Sequence, residues 1–362
     1  MDGARRIGSN GHYLVRGLAG WVSRVDVVTG GAGHVGSSLV AALRAGGREV
    51  RVVDLREPSA ALRLGADWVR ADVRDEERLR PAIEGAAIVY HLANVISVTG
   101  PMGGLVASVN VDGTRTAAAA AAAAQVRRFV YCSSIHAYDL GARRGTIVDE
   151  SSPPCSGWSV PAYGWSKLAA EEVVRRAIDR GLDAVIVNPT AVIGPEDEAP
   201  SRMGAVLLAL WHRRLPAFVS GGFDWVDVRD VAAAMVAAAE RGRTGENYLL
   251  PGHRRSFPEL AQLAADCAPI AVTRRTAPMW LAVLGSPVAT VIARRTGNPL
   301  LPTREALRPL RAFPVVNGAK AARELGHRPR AIEQTLADLY EYFERSGALP
   351  RASSSQHEHA GR

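Results

Sequence analysis

The residues best suited to acid–base chemistry in this sequence are Tyr163 and Lys167, within the segment YGWSK. They stand four positions apart in a helical pattern that continues through LAAEEVVRRAI, so their side chains share one helix face. A phenol has a pKa of about 10 and is a poor base at neutral pH, but a neighbouring ammonium favours its ionised form. The spacing therefore predicts Tyr163 as an acid–base group supported by Lys167. Alone, such a pair is also common on solvated helix faces.

Two serines, Ser133 and Ser134, end an apolar run that predicts a strand. Ligands of open α/β sheets bind at the carboxyl ends of the strands. A hydroxyl at that edge can hold a substrate oxygen beside Tyr163 and stabilise it electrostatically. We place Ser134 ahead of Ser133 in this role; the alternative for either is a serine that only caps the strand end.

The glycine-rich loop TGGAGHVG directly follows a predicted strand and opens a predicted helix. Gly30 allows the tight turn, Gly33 leaves room where the backbone approaches a pyrophosphate, and Gly36 lets the helix pack closely on the strand. At His34 and Val35 the helix begins and offers free amides to the anion. Strand, loop and helix in this order predict a dinucleotide-binding site.

The acidic residue Asp54 ends the second predicted strand, eighteen positions after Gly36. A carboxylate there accepts hydrogen bonds from a ribose diol and repels a 2′-phosphate, which favours NAD over NADP. Arg51 and Arg56 lie close by in the sequence and offset part of that repulsion. NAD is therefore the expected cofactor, with NADP as the alternative.

From residue 24 onward, short β-rich runs alternate with longer helical patterns, which is typical of parallel βαβ units. Runs of Val and Ile with little alternation indicate strands that are covered on both faces. An alanine run at 117–124 predicts a helix, opened by Asn110, Asp112 and Thr114, that packs closely on the sheet. The predicted fold class is α/β, a Rossmann doubly wound parallel sheet with a smaller, mostly C-terminal substrate lobe.

The predicted domain organisation follows the motifs and a change in composition. After about residue 193 proline becomes frequent and the strand–helix rhythm loosens, which separates a lobe from the core. The predicted parts are a loose extension at 1–22, a NAD(P)-binding core at 23–193 to which 223–243 contributes, a substrate lobe at 194–222 and 244–346, and a disordered tail at 347–362.

Composition and charge restrict the partners. The 362 residues are 47% hydrophobic and 22% charged, which is typical of a globular protein. The formal net charge is +8, but arginine pairs are scattered along the chain without an aromatic platform, so nucleic-acid binding is not expected. Cys132, Cys155 and Cys267 stand far apart. They predict neither a disulfide framework nor a metal site, which favours a cytoplasmic protein.

The segment APMWLAVLGSPVATVIA at 277–293 is uncharged and is flanked by arginine pairs. It is short for a membrane span, and Gly285 and Pro287 weaken a continuous helix. We favour an apolar helix pair of the substrate lobe. The alternative is a hydrophobic hairpin resting on a membrane surface, which would make the protein peripheral to the inner face of the membrane.

The order of these motifs resembles that of the extended short-chain dehydrogenases/reductases, the NAD-dependent epimerase/dehydratase family. The matching segments are TGGAGHVG, DV at 72–73, YHLAN, NVDGT, YCSS, YGWSK and VNPTAVIGP, and the resemblance spans about 25–345. Later segments (FDWVDVRDVA, ENYLLPG and ARELGHRPR) resemble the branch of dihydroflavonol reductases, sterol dehydrogenases and related sugar epimerases. Asp54 differs from the arginine expected in the NADP-preferring reductases of that branch.

The resemblance implies further site residues. It implies a catalytic triad of Ser134, Tyr163 and Lys167, and Asn110 as a structural or proton-relay residue, although Asn at a helix start is also an ordinary N-cap. It implies cofactor contacts by Asp72 and Val73 near the adenine, Leu92, Ala93 and Asn94 beside the cofactor, and Pro189 near the nicotinamide. Asp227 and Asp230 would order the small lobe, and homodimers are usual in the family.

Three functions are compatible with these residues. The first is reversible hydride transfer between NAD(P) and a secondary alcohol or ketone of a small, fairly apolar substrate. The second is a nucleotide-sugar epimerase or dehydratase with tightly bound NAD, which would need cations for a second diphosphate, and Arg202, Arg213 and Arg214 are weak candidates. The third is a non-catalytic NAD(P) sensor, which the complete Ser, Tyr and Lys set disfavours.

Overall fold

The structure is a computed structural model that describes residues 25–59, 65–141, 145–157, 160–215, 217–268, 275–298 and 300–350. The predicted extension at 1–22 lies outside the described residues, as does the tail beyond residue 350. The tail is predicted to begin at 347, but Leu349 is buried and its amide donates to the Phe343 carbonyl at 2.9 Å. The folded lobe therefore includes Leu349, and the predicted start of the tail is wrong.

A seven-stranded sheet with every strand pair parallel forms the centre of the molecule. In spatial order its strands are β3 (Asp67–Val69), β2 (Val50–Val53), β1 (Val25–Thr29), β4 (Ala86–His91), β5 (Arg128–Cys132), β7 (Ala184–Pro189) and β11 (Asn247–Leu250). The chain order reverses between β1 and β4, which is the switch point where doubly wound sheets bind ligands. The predicted fold class is confirmed.

Helices cover both faces of this sheet, which explains why β4 and β7 are buried along their whole length. Helices α1 (His34–Ala45) and α6 (Val228–Arg241) pack on one face. Helices α2 (Glu76–Ile83), α3 (Gly113–Ala123) and α4 (Ala162–Ile178) pack on the other.

The alanine run lies in α3, which packs on the sheet through small side chains. The helical segment begins earlier than predicted, because turns at Leu105–Ala107 and Ser108–Asp112 lead directly into α3. The second of these is a π turn that contains Asn110, whose carbonyl accepts a hydrogen bond from the Thr114 hydroxyl at 2.6 Å. Asn110 therefore lies inside the helical segment, and the N-cap alternative is wrong.

The smaller lobe consists of short strands and six helices among the described residues. Its strands are β8 (Ala191–Ile193), β10 (Gly222–Asp227) and β12 (His253–Ser256) in one sheet, and the pairs β9 (Phe218–Val219) with β13 (Thr276–Ala277) and β6 (Ile147–Val148) with β14 (Val315–Val316). Its helices are α5 (Arg202–Trp211), α7 (Phe257–Asp266), α8 (Met279–Thr296), α9 (Arg304–Ala312), α10 (Ala319–Leu325) and α11 (Ile332–Arg345).

One element predicted for the lobe, β11, belongs to the core, and one helix of the lobe, α10, packs against the core. β11 extends the central sheet beside β7. Ala321 and Leu325 of α10 are buried in the same apolar cluster as α1 and α6. The reason is topological. β11 is only four residues long, so its sequence pattern does not identify it as a core strand, and its partner β7 lies some sixty positions earlier in the chain.

Asp227 and Asp230 connect α6 to its surroundings. Asp227 caps α6 by accepting the Arg229 amide at 2.7 Å. Asp230 pairs with the Arg330 guanidinium at 2.8 Å, which ties α6 to the chain that leads into α11. Both contacts order the junction between core and lobe.

The apolar segment at 277–293 lies largely in one continuous helix, α8. Pro287 inside it lacks an amide, which leaves the Val283 carbonyl without its usual helical donor. The Ser286 hydroxyl donates to that carbonyl at 2.8 Å and replaces the missing bond. The predicted helix pair and the predicted hairpin, both of which break the segment near Gly285 and Pro287, are therefore wrong.

Candidate functional site

A cavity of about 390 Å³ opens at the carboxyl ends of the central strands. The glycine loop and the ends of β5 and β7 form one side of it, and residues of α5, α9 and the segment after β4 form the other. The predicted site residues that line it are Gly30, Gly33, His34, Val35, Gly36, Leu92, Asn94, Ser134, Tyr163 and Pro189.

The glycine loop closes tightly against its surroundings. Gly30 has φ of +72°, and a Cβ there would lie 2.6 Å from the Ala93 amide nitrogen. A Cβ on Gly36 would overlap the Gly30 carbonyl oxygen. At Gly33, by contrast, a Cβ would have only the Gly30 carbonyl at 3.2 Å and the Arg56 guanidinium at 3.9 Å as neighbours. The space beside Gly33 faces the cavity, which fits the close approach of a pyrophosphate.

His34, in the first turn of α1, connects the glycine loop to the lobe. Its Nε2 lies 3.0 Å from the carbonyl oxygens of both Gly194 and Pro195. Its Nδ1 lies 3.9 Å from the buried carboxylate of Asp197. His34 therefore lines the cavity and also fastens the loop after β8 to the cofactor side.

Asp54 and Arg56 bracket the other end of the glycine loop. The Asp54 carboxylate accepts the Ala32 amide at 3.0 Å and the Arg56 amide at 2.9 Å. The Arg56 guanidinium donates to the Ala32 carbonyl at 3.2 Å. A negative and a positive side chain thus stand together where the ribose would bind. Arg51 is directed away from the loop, because its guanidinium donates to the Ala82 carbonyl at 2.9 Å.

Three predicted cofactor-contact residues, Asp72, Val73 and Ala93, are not among the residues that line the cavity, whereas Asn94 is. Asp72 pairs with Arg74 at 2.6 Å, which holds the pKa of Asp72 below its usual value through hydrogen bonds from Arg74. The Ala93 backbone supports Gly30, and Asn94 lines the cavity while its amide donates to the Leu92 carbonyl at 2.8 Å. Buried Val73 packs close to Gly113. The adenine contacts of Asp72 and Val73 stay predictions.

Ser134 and Tyr163 both line the cavity, and their side chains are neighbours. Ser134 follows β5, and Tyr163 lies in the first turn of α4. Burial raises the pKa of the Tyr163 phenol well above its usual range, and a hydrogen bond with the Ser134 side chain opposes part of that rise. The phenol is therefore protonated at neutral pH unless a ligand supplies further positive charge.

Lys167 lies one turn further along α4 and is buried. Its ammonium donates to the Cys132 carbonyl at 2.8 Å and lies 5.9 Å from the centre of the Tyr163 ring. Burial lowers the pKa of Lys167 to about 8. Lys167 thus approaches Tyr163 from behind and is not among the residues that line the cavity.

Beneath Ser134 lies a buried polar network centred on Glu171. Its carboxylate accepts the Ser133 hydroxyl at 2.6 Å, the Asn188 amide at 2.7 Å and the Asn247 amide at 3.0 Å. Asn188 also donates to the Ser134 carbonyl at 3.1 Å. The Ser133 hydroxyl is therefore engaged within the protein. The Ser134 hydroxyl accepts the His136 amide at 3.3 Å, so it caps the turn after β5, and it also lies beside the Tyr163 phenol.

Asn110 is buried and connects the segment after β4 to α4. Its amide oxygen accepts the Val95 amide at 2.7 Å, and its amide nitrogen donates to the Val95 carbonyl at 3.0 Å and the Ser166 hydroxyl at 2.9 Å. The Ser166 hydroxyl in turn donates to the Tyr163 carbonyl at 2.8 Å. These three hydrogen bonds use most of the hydrogen-bonding capacity of the Asn110 side chain. They therefore support a structural role for Asn110 and not a role as a proton relay.

A second buried chain of hydrogen bonds lies under the glycine loop. His91 Nδ1 is 2.7 Å from the Thr29 hydroxyl, and its Nε2 is 3.0 Å from the Thr114 hydroxyl. Because the Thr114 hydroxyl donates to the Asn110 carbonyl, it accepts from Nε2, so the ring is neutral with its proton on Nε2. Burial lowers the pKa of His91 to about 3.

The lobe side of the cavity is mostly apolar, and among the described residues it carries one charged side chain and one carboxylate oxygen without a protein partner. Its apolar members include Ile96, Val98, Leu140, Val192, Met203, Phe223, Ala306 and Pro309. Arg202 lines the cavity without a hydrogen bond or ion pair in the described part of the chain, and burial lowers its pKa to about 10. The buried Glu305 Oε2 also lacks a partner among the described residues, although the Glu305 carboxylate interacts with the Gly100 and Ala162 amides. Arg213 and Arg214 are exposed and do not line the cavity.

Sequence reasoning missed two residues of this site. Glu171 stands four positions after Lys167, on the same helix face, and that spacing was the available signal. His136 stands two positions after Ser134; its ring lines the cavity with its centre 5.7 Å from that of Tyr163. Burial lowers the pKa of His136 to about 4, so this ring is neutral at physiological pH.

Comparisons with known proteins agree with this arrangement. The family model of the NAD dependent epimerase/dehydratase family matches residues 27–250. A putative dihydroflavonol 4-reductase from Synechocystis is 31% identical over 335 residues, which cover 90% of this chain and 97% of that protein. Sterol demethylase protein B from Methylococcus capsulatus is 32% identical over 330 residues, covering 89% and 99%. The crystal structure of gox2253 superimposes with a TM-score of 0.76 at 30% identity, covering 90% and 99%.

The family match includes the glycine loop, the segment with Ser134, the Tyr163 and Lys167 helix and the central sheet to β11. The two curated relatives align over nearly the whole chain, so the match extends into the lobe. The chain therefore belongs to the NAD-dependent epimerase/dehydratase family of extended short-chain dehydrogenases/reductases and is a NAD(P)-dependent oxidoreductase or epimerase.

Proposed function

We propose that the protein transfers hydride between NAD and a secondary alcohol or ketone of a small, fairly apolar substrate. The observation that carries this proposal is the pair of neighbouring hydroxyls, Ser134 and Tyr163, which both line a cavity whose opposite side is mostly apolar. A carbonyl or alcohol oxygen placed between the two hydroxyls would be held by both. The apolar side would take the rest of the molecule.

Each residue has a role in this proposal. The bound cofactor would accept the hydride as NAD in oxidation and supply it as NADH in reduction. In oxidation, the substrate hydroxyl gives its proton to Tyr163 while Ser134 holds the oxygen; in reduction, Tyr163 returns the proton. Lys167 supplies positive charge behind the phenol, which favours the ionised form that accepts the proton. The Pro189 backbone borders the nicotinamide end of the cavity.

The proposed cofactor contacts divide between the loop and the strand ends. The free amides at His34 and Val35 bind the pyrophosphate, and Asp54 binds the adenosine ribose. Asp72 and Val73 lie toward the adenine, and Leu92, Ala93 and Asn94 border the middle of the cofactor. We assign cofactor binding to the core at 23–193 and substrate binding to the lobe, and we place the protein in the cytoplasm.

A second candidate is a nucleotide-sugar epimerase or dehydratase, in which NAD is reduced and reoxidised within one cycle. Arg202 favours it, because a desolvated guanidinium without a protein partner suits an anionic group of the substrate. Against it, Arg202 is the only candidate of the three predicted arginines that lines the cavity. The apolar remainder of that side fits a diphosphate poorly.

Absorbance of NADH separates these functions. Incubation with NAD and a panel of sterols, flavonoids and simple secondary alcohols should yield net NADH, and Tyr163→Phe should remove that signal without changing NAD affinity. Conversion of UDP-sugars without net NADH would instead establish the second candidate. NAD binding with no turnover on either panel would leave a sensor and refute both enzymatic proposals.

A further inference from the structure

Helix α8 carries its large apolar side chains on the outside of the protein. Leu284 is 73% exposed, Trp280 and Val288 are each 65% exposed, and Val291 is 50% exposed. The only side chains of this helix that are buried are those of Ser286 and Ala293. This is the reverse of a normal surface helix, whose apolar stripe faces the core.

The exposed residues form one continuous face. Trp280, Leu284, Val288 and Val291 follow at intervals of four, four and three residues, and such residues lie above one another on a helix. Leu281, Val283 and Ile292 widen the face and are also exposed. Contiguous exposed apolar patches of this kind mark surfaces that bind a membrane or another molecule.

The charge around this face is mostly positive. The segments 275–298 and 300–312 together contain six arginines and one glutamate, and α8 itself contains no acidic residue. Arg294 and Arg295 occupy the last turn of the helix. Two exposed arginines that follow an apolar face complement an anionic surface. The same face of a second copy of this chain carries the same excess of arginines, so it would not supply the complementary negative charge.

No helix in the described ranges is long and apolar enough to cross a bilayer. A helix that exposes an apolar face and ends in two arginines can lie in the plane of the interface instead, with that face in the boundary between headgroups and acyl chains. We propose that the outward face of α8 docks on the surface of an anionic lipid bilayer.

The docking face adjoins the cavity. The Arg294 guanidinium donates to the Thr99 carbonyl at 2.7 Å, and the Thr303 hydroxyl donates to the Val98 carbonyl at 2.5 Å. Val98 lines the cavity, as do Ala306 and Pro309 of α9, which packs against α8. Docking by α8 would hold the cavity at the membrane surface. Resting on the proposed function, the substrate is then a lipid-soluble alcohol or ketone that enters from the bilayer.

Cosedimentation with vesicles tests the docking. The full chain should bind vesicles of equal parts phosphatidylcholine and phosphatidylglycerol, and should bind pure phosphatidylcholine more weakly by about tenfold or more. The double variant Leu284→Glu/Val288→Glu should lower binding to the anionic vesicles by about tenfold or more. A matched control, Ala119→Glu/Ala122→Glu, adds the same two carboxylates to exposed positions of α3 and should bind nearly as the parent does.

Three results would overturn the docking. They are no binding to anionic vesicles, equal loss of binding in both double variants, and a dimer in light scattering that only Leu284→Glu/Val288→Glu dissociates. The last would assign the face to a second copy. NAD affinity, measured without vesicles, should be the same in all variants. Failure of the hydride-transfer proposal would appear as missing NADH with normal vesicle binding, so the two failures are distinguishable.

Discussion

The two sides of the cavity differ in how their polar groups are held. On the side of the strand ends, the groups behind the reactive hydroxyls are bonded within the protein: Ser133 to Glu171, Lys167 to the Cys132 carbonyl, and Asn188 to the Ser134 carbonyl. On the lobe side, Arg202 and the Glu305 Oε2 atom have no such partners among the described residues. Most of what surrounds them is apolar.

This difference separates two tasks. Groups whose hydrogen bonds are complete hold the geometry of the reacting atoms, because moving them would leave buried polar atoms unsatisfied. Groups without partners are available to a ligand. Changes on the strand side should therefore affect turnover or stability, whereas changes on the lobe side should affect which substrate binds.

The largest effect is expected from Tyr163→Phe. Loss of the phenolic hydroxyl removes the proton donor and acceptor, and kcat should fall by about a thousandfold or more. NAD affinity, followed by fluorescence titration, should stay within about twofold, because the hydroxyl contributes little to holding the dinucleotide. Tyr340→Phe in α11, remote from the cavity, is the control and should retain turnover. Comparable losses in both variants would contradict the role of Tyr163.

The next effect is expected from Glu171→Gln, which removes a buried carboxylate with several donors. The free energy of unfolding should fall by about 3 kcal/mol, because several buried donors lose a charged acceptor. Glu172→Gln makes the same change one residue later, where the carboxylate pairs with Arg176 on the exposed face. That variant should lose less than about 0.5 kcal/mol. Urea denaturation of both would test the contrast, and equal losses would refute it.

A smaller effect concerns the pH dependence of stability through His91. The pKa of His91 is about 3 in the folded protein, well below its ordinary value, so only the unfolded chain takes up this proton as the pH falls below about 6.5. The folded state should lose about 2 kcal/mol from this group between pH 7 and pH 5. Gln at this position can replace both hydrogen bonds without titrating.

The measurement is the free energy of unfolding of the parent and of His91→Gln at both pH values. The variant should lose about 2 kcal/mol less than the parent on acidification. Asp26, whose pKa burial raises to about 6, acts with the opposite sign but equally in both proteins, so it cancels in the comparison. An identical pH dependence in the two proteins would rule out a buried neutral His91.

Much of the strand side could be predicted from sequence because its signals are local. The glycine loop, the Tyr163 and Lys167 spacing and the serines after β5 each lie within one short segment. The Glu171 network could not be predicted, because Asn247 reaches Glu171 from 76 positions away. Its only local trace is the spacing of Glu171 from Lys167.

The lobe was harder to predict for a different reason. Its strands are two to six residues long, and the assignment of β11 to the core depends on pairing with β7 rather than on pattern. A proline inside a helix usually breaks it, but in α8 the Ser286 hydroxyl replaces the hydrogen bond that the missing amide of Pro287 would make. That compensation is visible only in three dimensions.

On the lobe side, Arg202→Gln should raise KM for the natural substrate by about tenfold and leave kcat within about twofold, because a substrate group bound by Arg202 would lie away from the reacting atoms. The matched control is Arg214→Gln, which removes an exposed arginine of the same region that does not line the cavity. Initial-rate kinetics of both variants distinguish the cases. A loss of kcat at unchanged KM would instead show that Arg202 acts on the reacting atoms and does not serve mainly to bind substrate.

The smallest effect concerns the choice between NAD and NADP. It distinguishes two arginines, Arg51 and Arg56, that both lie close to Asp54 in the sequence. The Arg56 guanidinium contacts the Ala32 carbonyl in the glycine loop, whereas Arg51 bonds the Ala82 carbonyl on the far side of β2. Arg56→Gln should lower the affinity for NADP relative to NAD by about three- to fivefold, a modest factor because Arg56 is exposed and screened by salt. Arg51→Gln should leave that ratio unchanged, because its guanidinium is directed away from the ribose site. The measurement is a titration of both variants with NAD and with NADP. An equal change of the affinity ratio in the two variants would show that general surface charge, rather than the position of Arg56, sets the preference.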